Sequence, residues 1–512
     1  MRKDQVFRKI LCLMGIAVFL IVAVPGCSKV PSQQSSESNG STASQVVPLK
    51  EVTLSFYFPG EARRDMRLVL DEIEKKLKDT VNAKLVFNFV PWADYDNKIS
   101  VLIVSGDNYD AHMDAEWSGF PTLSQKGALL DITELFPEFA PNLYKKYKAE
   151  DLAPATVNNK LMAIPWLYPM TDRRAADVRE DLKKKYNIPD IATLEDFEFY
   201  MKTIKENEPD IIPFTPNYDR SSSIFGDMKG YAVLSLSLDL VYKWDDPDMK
   251  IVAWEQTPEY KQVVEMMRSW YEKDYMPKDV NAVQDFSFFG PGKISSTIYL
   301  WMEAYTNFDK QVKAANPGWS VKAYDLYPDK VATKSSPMNN AMAFNVNAAN
   351  PDRALMFMEW IQASQENYDL MIYGIKDKHY ELEGKFIKQP AGYNYNDNPY
   401  LNWEGQWPFW NIEYFRFDVN DPVEYKEGYF DNVNHNTRYR PHLGFTPNLD
   451  PIKTEVAQRT ATYGEMGKLL EYGALPMDKF DSYIQKQKDA GTEKIVTEIQ
   501  KQLDAWKAAN KK

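Results

Sequence analysis

Between Val52 and Met113 the hydrophobic period switches back and forth between two and about three and a half, and this constrains the fold more than any other feature. Val52, Leu54, Phe56 and Phe58 alternate with Thr53, Ser55 and Tyr57, a period of two that stops at Pro59-Gly60. Met66, Val69, Leu70, Ile73 and Leu77 then share one helical face. A second strand is predicted over residues 85–90, a helix through Ile99, Leu102 and Ile103 closed by Gly106, and a third strand over residues 109–113. Strand, helix, strand, helix, strand in so short a span requires parallel pairing with crossover helices.

Helices dominate the rest. Thr193, Thr257 and Asn350 are predicted N-caps, the last two followed by proline at the first helical position. Apolar faces follow at Phe197, Met201 and Ile204, at Tyr260, Val263, Val264, Met267 and Trp270, and at Leu355, Met358 and Ile361. A terminal helix from about Thr492 buries Ile495, Val496, Ile499, Leu503 and Trp506. Short extended pieces are expected at 160–165 and 341–346, and 394–450 reads as a large irregular excursion. No repeat or low-complexity linker interrupts the chain after Pro48, so the expectation is two intimately joined lobes.

The N-terminus reads as an export signal. Arg2, Lys3, Arg8 and Lys9 precede an apolar run from Ile10 to Val24, too short for the ~20 residues of a permanent span. Val24-Pro25-Gly26-Cys27 is similar to a lipobox, with Pro25 departing from the usual small residue. Residues 1–26 are therefore expected to be removed and Cys27 to be lipidated, with residues 27–48 a Ser-, Gln- and Asn-rich tether. Two acyl chains would hold such a protein at the membrane where one holds marginally. The other cysteine, Cys12, leaves with the signal, so the remaining domain has no thiol and cannot be a cysteine protease, thiolate-metal protein or dithiol redox protein. The precursor's formal charge of −12 argues against nucleic acid or anionic lipid as partners.

Signatures of catalysis are missing: no GxSxG, HExxH, phosphate-binding glycine loop or dinucleotide fingerprint occurs. The four histidines, His112, His379, His435 and His442, show no metal-ligand spacing, and Asp418, Asn420 and Asp421 match a calcium loop poorly because Val423 stands where glycine is needed. No metal or cofactor is expected. Aromatic residues, by contrast, make up 14% of the chain and crowd into loops, where Asp114-Ala-Glu-Trp117 and Trp301-Met-Glu303 combine flat rings with carboxylates. Sugars present apolar C–H faces rimmed by hydroxyls, so rings and polar groups side by side suit them. Trp270, Trp360 and Trp506 lie on helix faces and read as core.

Several stretches together resemble the extracellular solute-binding proteins (family 1) of carbohydrate ABC transporters. They are Tyr109–Trp117 with Gly127–Thr133, Asn159–Pro165, Ile191–Phe197 and Asn347–Ala354. Leu443–Ala457, Ala490-Gly491 and Glu498–Trp506 are similar to LipO-like lipoproteins of that group. The resemblance implies an α/β, two-lobe, periplasmic-binding-protein-like fold with a hinge and an interlobe ligand cleft. Lobe 1 would take about 49–163 plus a segment near 325–385; lobe 2 would take about 164–324 and much of 386–512. It further implies an extracellular, membrane-tethered monomer that captures a carbohydrate and passes it to ABC transporter permease subunits, with no catalysis of its own. A lipid-anchored glycoside hydrolase using Asp114, Glu116 or Glu303, and a non-transport sensor on the same fold, are the alternatives. In such folds ligands meet the strand ends that face the cleft. On that rule the candidate ligand-binding residues are Phe58, Gly60, Asp114, Trp117, Trp166, Tyr168, Trp301, Glu303, Tyr305, Asn339, Asn340, Trp407 and Trp410.

Overall fold

The computed structural model describes residues 49–216, 220–279, 289–392 and 399–510. The expected signal, Cys27 and the tether lie outside the described residues. The strands of the three larger sheets, in chain order, are β1 (Val52–Pro59), β2 (Ala83–Val90), β3 (Ala111–Asp114), β4 (Ala163–Pro165), β5 (Arg174–Arg179), β6 (Tyr231–Ser235), β7 (Leu240–Lys243), β8 (Val252–Ala253), β9 (Ser296–Leu300), β10 (Val321–Asp325) and β11 (Ala341–Phe344).

The first sheet runs β2-β1-β3-β11-β4. β1 pairs parallel with both β2 and β3, as the opening pattern requires. β11, from far along the chain, inserts antiparallel between β3 and β4. Between β1 and β2 runs the helix Met66–Leu77, which buries all five apolar residues of its predicted stripe. Leu54, Phe56 and Phe58 are fully buried against it and against Phe87, Phe357 and Trp403. Burial of each such side chain stabilises by about 1.5–3 kcal/mol.

The second lobe holds two antiparallel sheets, β9-β5-β10 and β8-β7-β6. Its helices start where the caps were read. Thr193 Oγ1 accepts the Asp196 N–H at 3.1 Å while Asp196 Oδ2 accepts the Thr193 N–H at 3.0 Å, a reciprocal capping box. Thr257 Oγ1 accepts the Tyr260 N–H at 3.1 Å. In Thr492–Asn510, Ile495, Ile499 and Leu503 are buried while Val496 and Trp506 pack at the edge.

The first lobe claims more of the chain than expected. Its core continues from Met338 through Tyr400, Leu401 and Trp403 to Phe409, rather than ending near 385. Phe58, Phe87 and Phe89 form the aromatic bed on which Trp403 lies.

Three segments cross between the lobes and hydrogen-bond side by side. Asp172 donates its N–H to Thr333 O at 2.8 Å, and Ser335 N–H reaches Met170 O at 3.0 Å. Leu167 N–H bonds Trp410 O at 3.0 Å, and Ile412 N–H returns to Leu167 O at 2.9 Å. Three parallel or antiparallel crossings of this kind make a hinge, because a few residues at element ends absorb the φ/ψ change of a rigid-body movement. Among the described residues no helix is long and apolar enough to cross a membrane.

Candidate functional site

Parallel pairing brings the carboxyl ends of β1, β2 and β3 to one edge of the first sheet, and a tryptophan follows two of them. Trp92 comes just after β2 and Trp117 just after β3; they are 41% and 51% exposed. Their ring centroids are 6.1 Å apart, and Trp407 stacks on Trp92 at 5.7 Å and 26°. Both exposed indoles are pinned by their N–H: Trp92 Nε1 donates to Glu404 Oε2 at 2.6 Å, and Trp117 Nε1 to Asn339 O at 2.6 Å. Half-exposed indoles held in fixed orientations are ready-made platforms for an apolar sugar face.

The residues around this rim act as scaffold. Asp114 is buried, and its Oδ1 accepts the N–H groups of Ala115 and Phe120, both at 2.8 Å, fixing the turn that presents Trp117. Gly60 has φ +94°, and a Cβ there would lie 2.4 Å from Glu404 Oε2, so only glycine lets the Glu404 loop close over the end of β1. Asn340 is buried and receives the Trp166 N–H on its carbonyl at 3.0 Å.

A second aromatic group lies along the hinge. Trp166 and Trp410 stack at 6.2 Å and 15°, and Tyr168 packs on Trp410, Phe415 and Tyr429. Trp301 touches Tyr305, Tyr425 and Tyr429 at 5.7 to 6.0 Å. This belt brings together Trp166, Tyr168, Trp301, Tyr305 and Trp410, but with the rings turned onto one another; Trp166 and Trp301 keep only 5% and 6% of their surface. Trp407 and Trp410 pack against both the first-lobe core and the belt, so their turn joins rim to belt.

Phe58 is a correction. The alternation that built β1 puts it on the same face as Leu54 and Phe56, and it has no exposed area to offer a ligand. Trp92, outside the candidate residues, obeys the same strand-end rule that selects Trp117.

Carboxyls complete the arrangement. Glu116 keeps solvent-accessible surface yet is closely surrounded, and burial raises its pKa against the pull of Arg440 and a bond from Ser336. Arg440 in turn donates to Asp172 at 3.2 Å. Glu303 is half-buried, and burial raises its pKa too.

Among the described residues no group of three or more His, Cys, Asp or Glu side chains is placed to hold a metal ion. Asp418 and Asp421 instead close a turn, Asp418 N–H bonding Asp421 Oδ2 at 2.9 Å, with Lys310 Nζ 3.2 Å from Asp421. Three histidines are engaged structurally: His112 with Tyr109, His379 with Asp65 and His442 with Tyr242.

Two lobes joined by three hydrogen-bonded crossing segments define the two-lobe fold of solute-binding proteins. Solved structures agree. The N-glycan transport solute binding protein (NgtS) of Streptococcus pneumoniae superposes with a TM-score of 0.75 at 23% identity, covering 90% of this chain and 100% of that one. Its complex with Man5GlcNAc gives 0.67 at 22% identity, over 90% and 99%. The alginate-binding protein AlgQ2 gives 0.61 at 14% identity, over 88% and 98%. In sequence, a curated carbohydrate ABC transporter substrate-binding protein of Streptococcus pneumoniae serotype 4 is 26% identical over 469 residues, 88% of this chain and 90% of the relative. Residues 441–508 match the family model "Domain of unknown function (DUF3502)".

Proposed function

We propose that this chain is the extracellular substrate-binding component of a carbohydrate ABC importer. It takes an oligosaccharide between its lobes and delivers it to membrane permease subunits without altering it. The observation that carries this reading is the Trp92–Trp117–Trp407 rim at the strand ends beside the hinge. The likeness to a curated substrate-binding protein supports it. Ligand contacts from both lobes exist only in the closed state, so binding shifts the population toward closure. Closure then presents the loaded form to the permease. Lipidation at Cys27 would keep the protein near its partner in an envelope without an outer membrane. Cys27→Ala should then move the protein from the cell pellet to the medium, and retention with the cells would refute the anchor.

Trp117→Ala tests the rim. The ring is half exposed, so its loss should leave the unfolding temperature nearly unchanged and weaken oligosaccharide binding by about 1 kcal/mol or more. Unchanged affinity would remove Trp117 from the site. Glycan cleaved during the titration would instead favour the hydrolase.

A further inference from the structure

Glu404 stands exposed on the loop that closes over the end of β1, and the residues on either side of it are fastened to the first lobe. Before it, Arg63 Nη2 donates to Asn402 O at 2.8 Å, and Trp403 is buried among Phe58, Phe87 and Phe89. After it, Gly405 has φ +79°, and a Cβ there would lie 2.8 Å from Pro59 Cδ and 2.9 Å from Phe58 Cβ, so the backbone itself rests on β1. Gln406 Nε2 then donates to Trp403 O at 2.9 Å. An exposed glutamate ordinarily keeps its rotamer freedom. Here the stem is confined against Gly60, where an added Cβ would come 2.6 Å from Glu404 Cβ, and the head is confined by Trp92 Nε1, 2.6 Å from Oε2. Among the described residues Oε1 has no partner. An acceptor fixed in place with one oxygen to spare has already lost the freedom that binding would otherwise cost it.

Its place beside the ring suits a sugar. An indole N–H lies in the ring plane, so the carboxylate bonded to it sits at the edge of Trp92 and leaves the ring faces clear. A pyranose laid with its C–H face on an indole directs its equatorial hydroxyls outward past that edge. Trp92, 41% exposed, keeps surface for such a contact. We propose that Glu404 is a ligand residue of the rim, its Oε1 accepting a hydroxyl of the neutral pyranose stacked on Trp92, an inference that rests on the carbohydrate-binding reading above. A hydroxyl donating to a carboxylate makes a charge-assisted bond, about twice as strong as a neutral one. A group placed to bond a hydroxyl discriminates sharply against a sugar that lacks it, whereas a ring face accepts many sugars. Glu404 therefore supplies selectivity where the tryptophans supply area.

The test is a calorimetric titration of the full chain with Man5GlcNAc and, separately, with chitotetraose, using wild type, Glu404→Ala, Glu404→Gln, Trp92→Phe and the double variant Trp92→Phe with Glu404→Ala. Glu404→Ala should lower the affinity about tenfold, as loss of a hydrogen bond to a charged group implies, with the unfolding temperature nearly unchanged because the side chain is exposed. Glu404→Gln should lose at least about threefold, since a neutral amide bonds a hydroxyl less strongly than a carboxylate does. Trp92→Phe keeps a ring to stack on and removes the N–H that Glu404 holds, so in that background Glu404→Ala should still cost at least about fivefold. Affinity unchanged in Glu404→Ala, or a loss that vanishes in the Trp92→Phe background, would overturn the contact while leaving carbohydrate binding intact. Absence of wild-type binding to both sugars would overturn both readings.

Discussion

Arg459→Met is expected to lower the free energy of unfolding by about 3–5 kcal/mol, the usual result of removing one partner from a buried charge pair. Arg459 belongs to the C-terminal segment, yet its guanidinium is buried in the second lobe. There Nη2 donates to Glu255 Oε1 at 2.8 Å, Nη1 to Leu238 O at 2.8 Å and Nε to Gln487 Oε1 at 3.2 Å. Glu255 is 2% exposed, and its pKa is raised by burial with Arg459 as the largest opposing influence. Without the arginine, the carboxylate is left in the interior with no cation bonded to it. Urea denaturation at neutral pH measures the effect as a lower midpoint at unchanged slope. Adding Glu255→Met to the same chain should recover part of the loss, because it is the stranded charge that is costly. A variant as stable as wild type would show that this network does not fasten residues 441–508 to the lobe.

Stability is also expected to fall as pH rises from about 5 toward 8, the reverse of ordinary acid denaturation. Burial is the first cause of a raised pKa at Asp177, Asp227, Asp239, Glu255 and Glu471. A carboxyl whose folded pKa exceeds its unfolded value binds protons more tightly when folded. Its contribution is therefore fully present below the ordinary carboxylate range and is lost as pH climbs through the folded value. Each unit of displacement is worth about 1.4 kcal/mol, so Glu471, pushed up to about 8, accounts for an expected loss greater than about 1.4 kcal/mol over that window, and the other four act in the same direction. The carboxylates with lowered pKa, among them Glu74 with Arg67 and Asp196 with Thr193, lie nearer the surface and act at the acid end, below about pH 4. Unfolding free energies at pH 5 and pH 8 decide the matter. Glu471→Gln should flatten the slope and Arg459→Met should steepen it, while stability that rises across the window would contradict the account.

Much of the fold was readable because its signals are local. β1, the helix after it and the Thr193 and Thr257 caps depend on residues within a few positions of one another, and each formed as its period or cap dictates. β11 was readable as an extended piece but not as the strand between β3 and β4, since nothing near Ala341 specifies partners so distant in sequence. The extension of the first lobe to Phe409 was hidden for a similar reason. Trp403 and Phe409 carry no period and owe their burial to Phe58 and its neighbours.

The candidate site divided along the same line. Position after a strand selects Trp117, which the structure places as an exposed ring, and applies equally to Trp92. Phe58 failed because the strand's own alternation, already on the page, assigned it inward. For Trp166, Tyr168, Trp301, Tyr305 and Trp410 the sequence showed rings near crossings but not that they stack on each other, which only packing decides.

The central claim, capture of a carbohydrate without chemistry, is tested most directly by retention. The full chain, incubated with a mixture of neutral mannose- and N-acetylglucosamine-containing oligosaccharides and passed through a size-exclusion column, should carry one intact oligosaccharide per chain in the protein peak, identified by mass. Shortened sugars in the eluate, or a protein peak free of carbohydrate, would contradict it.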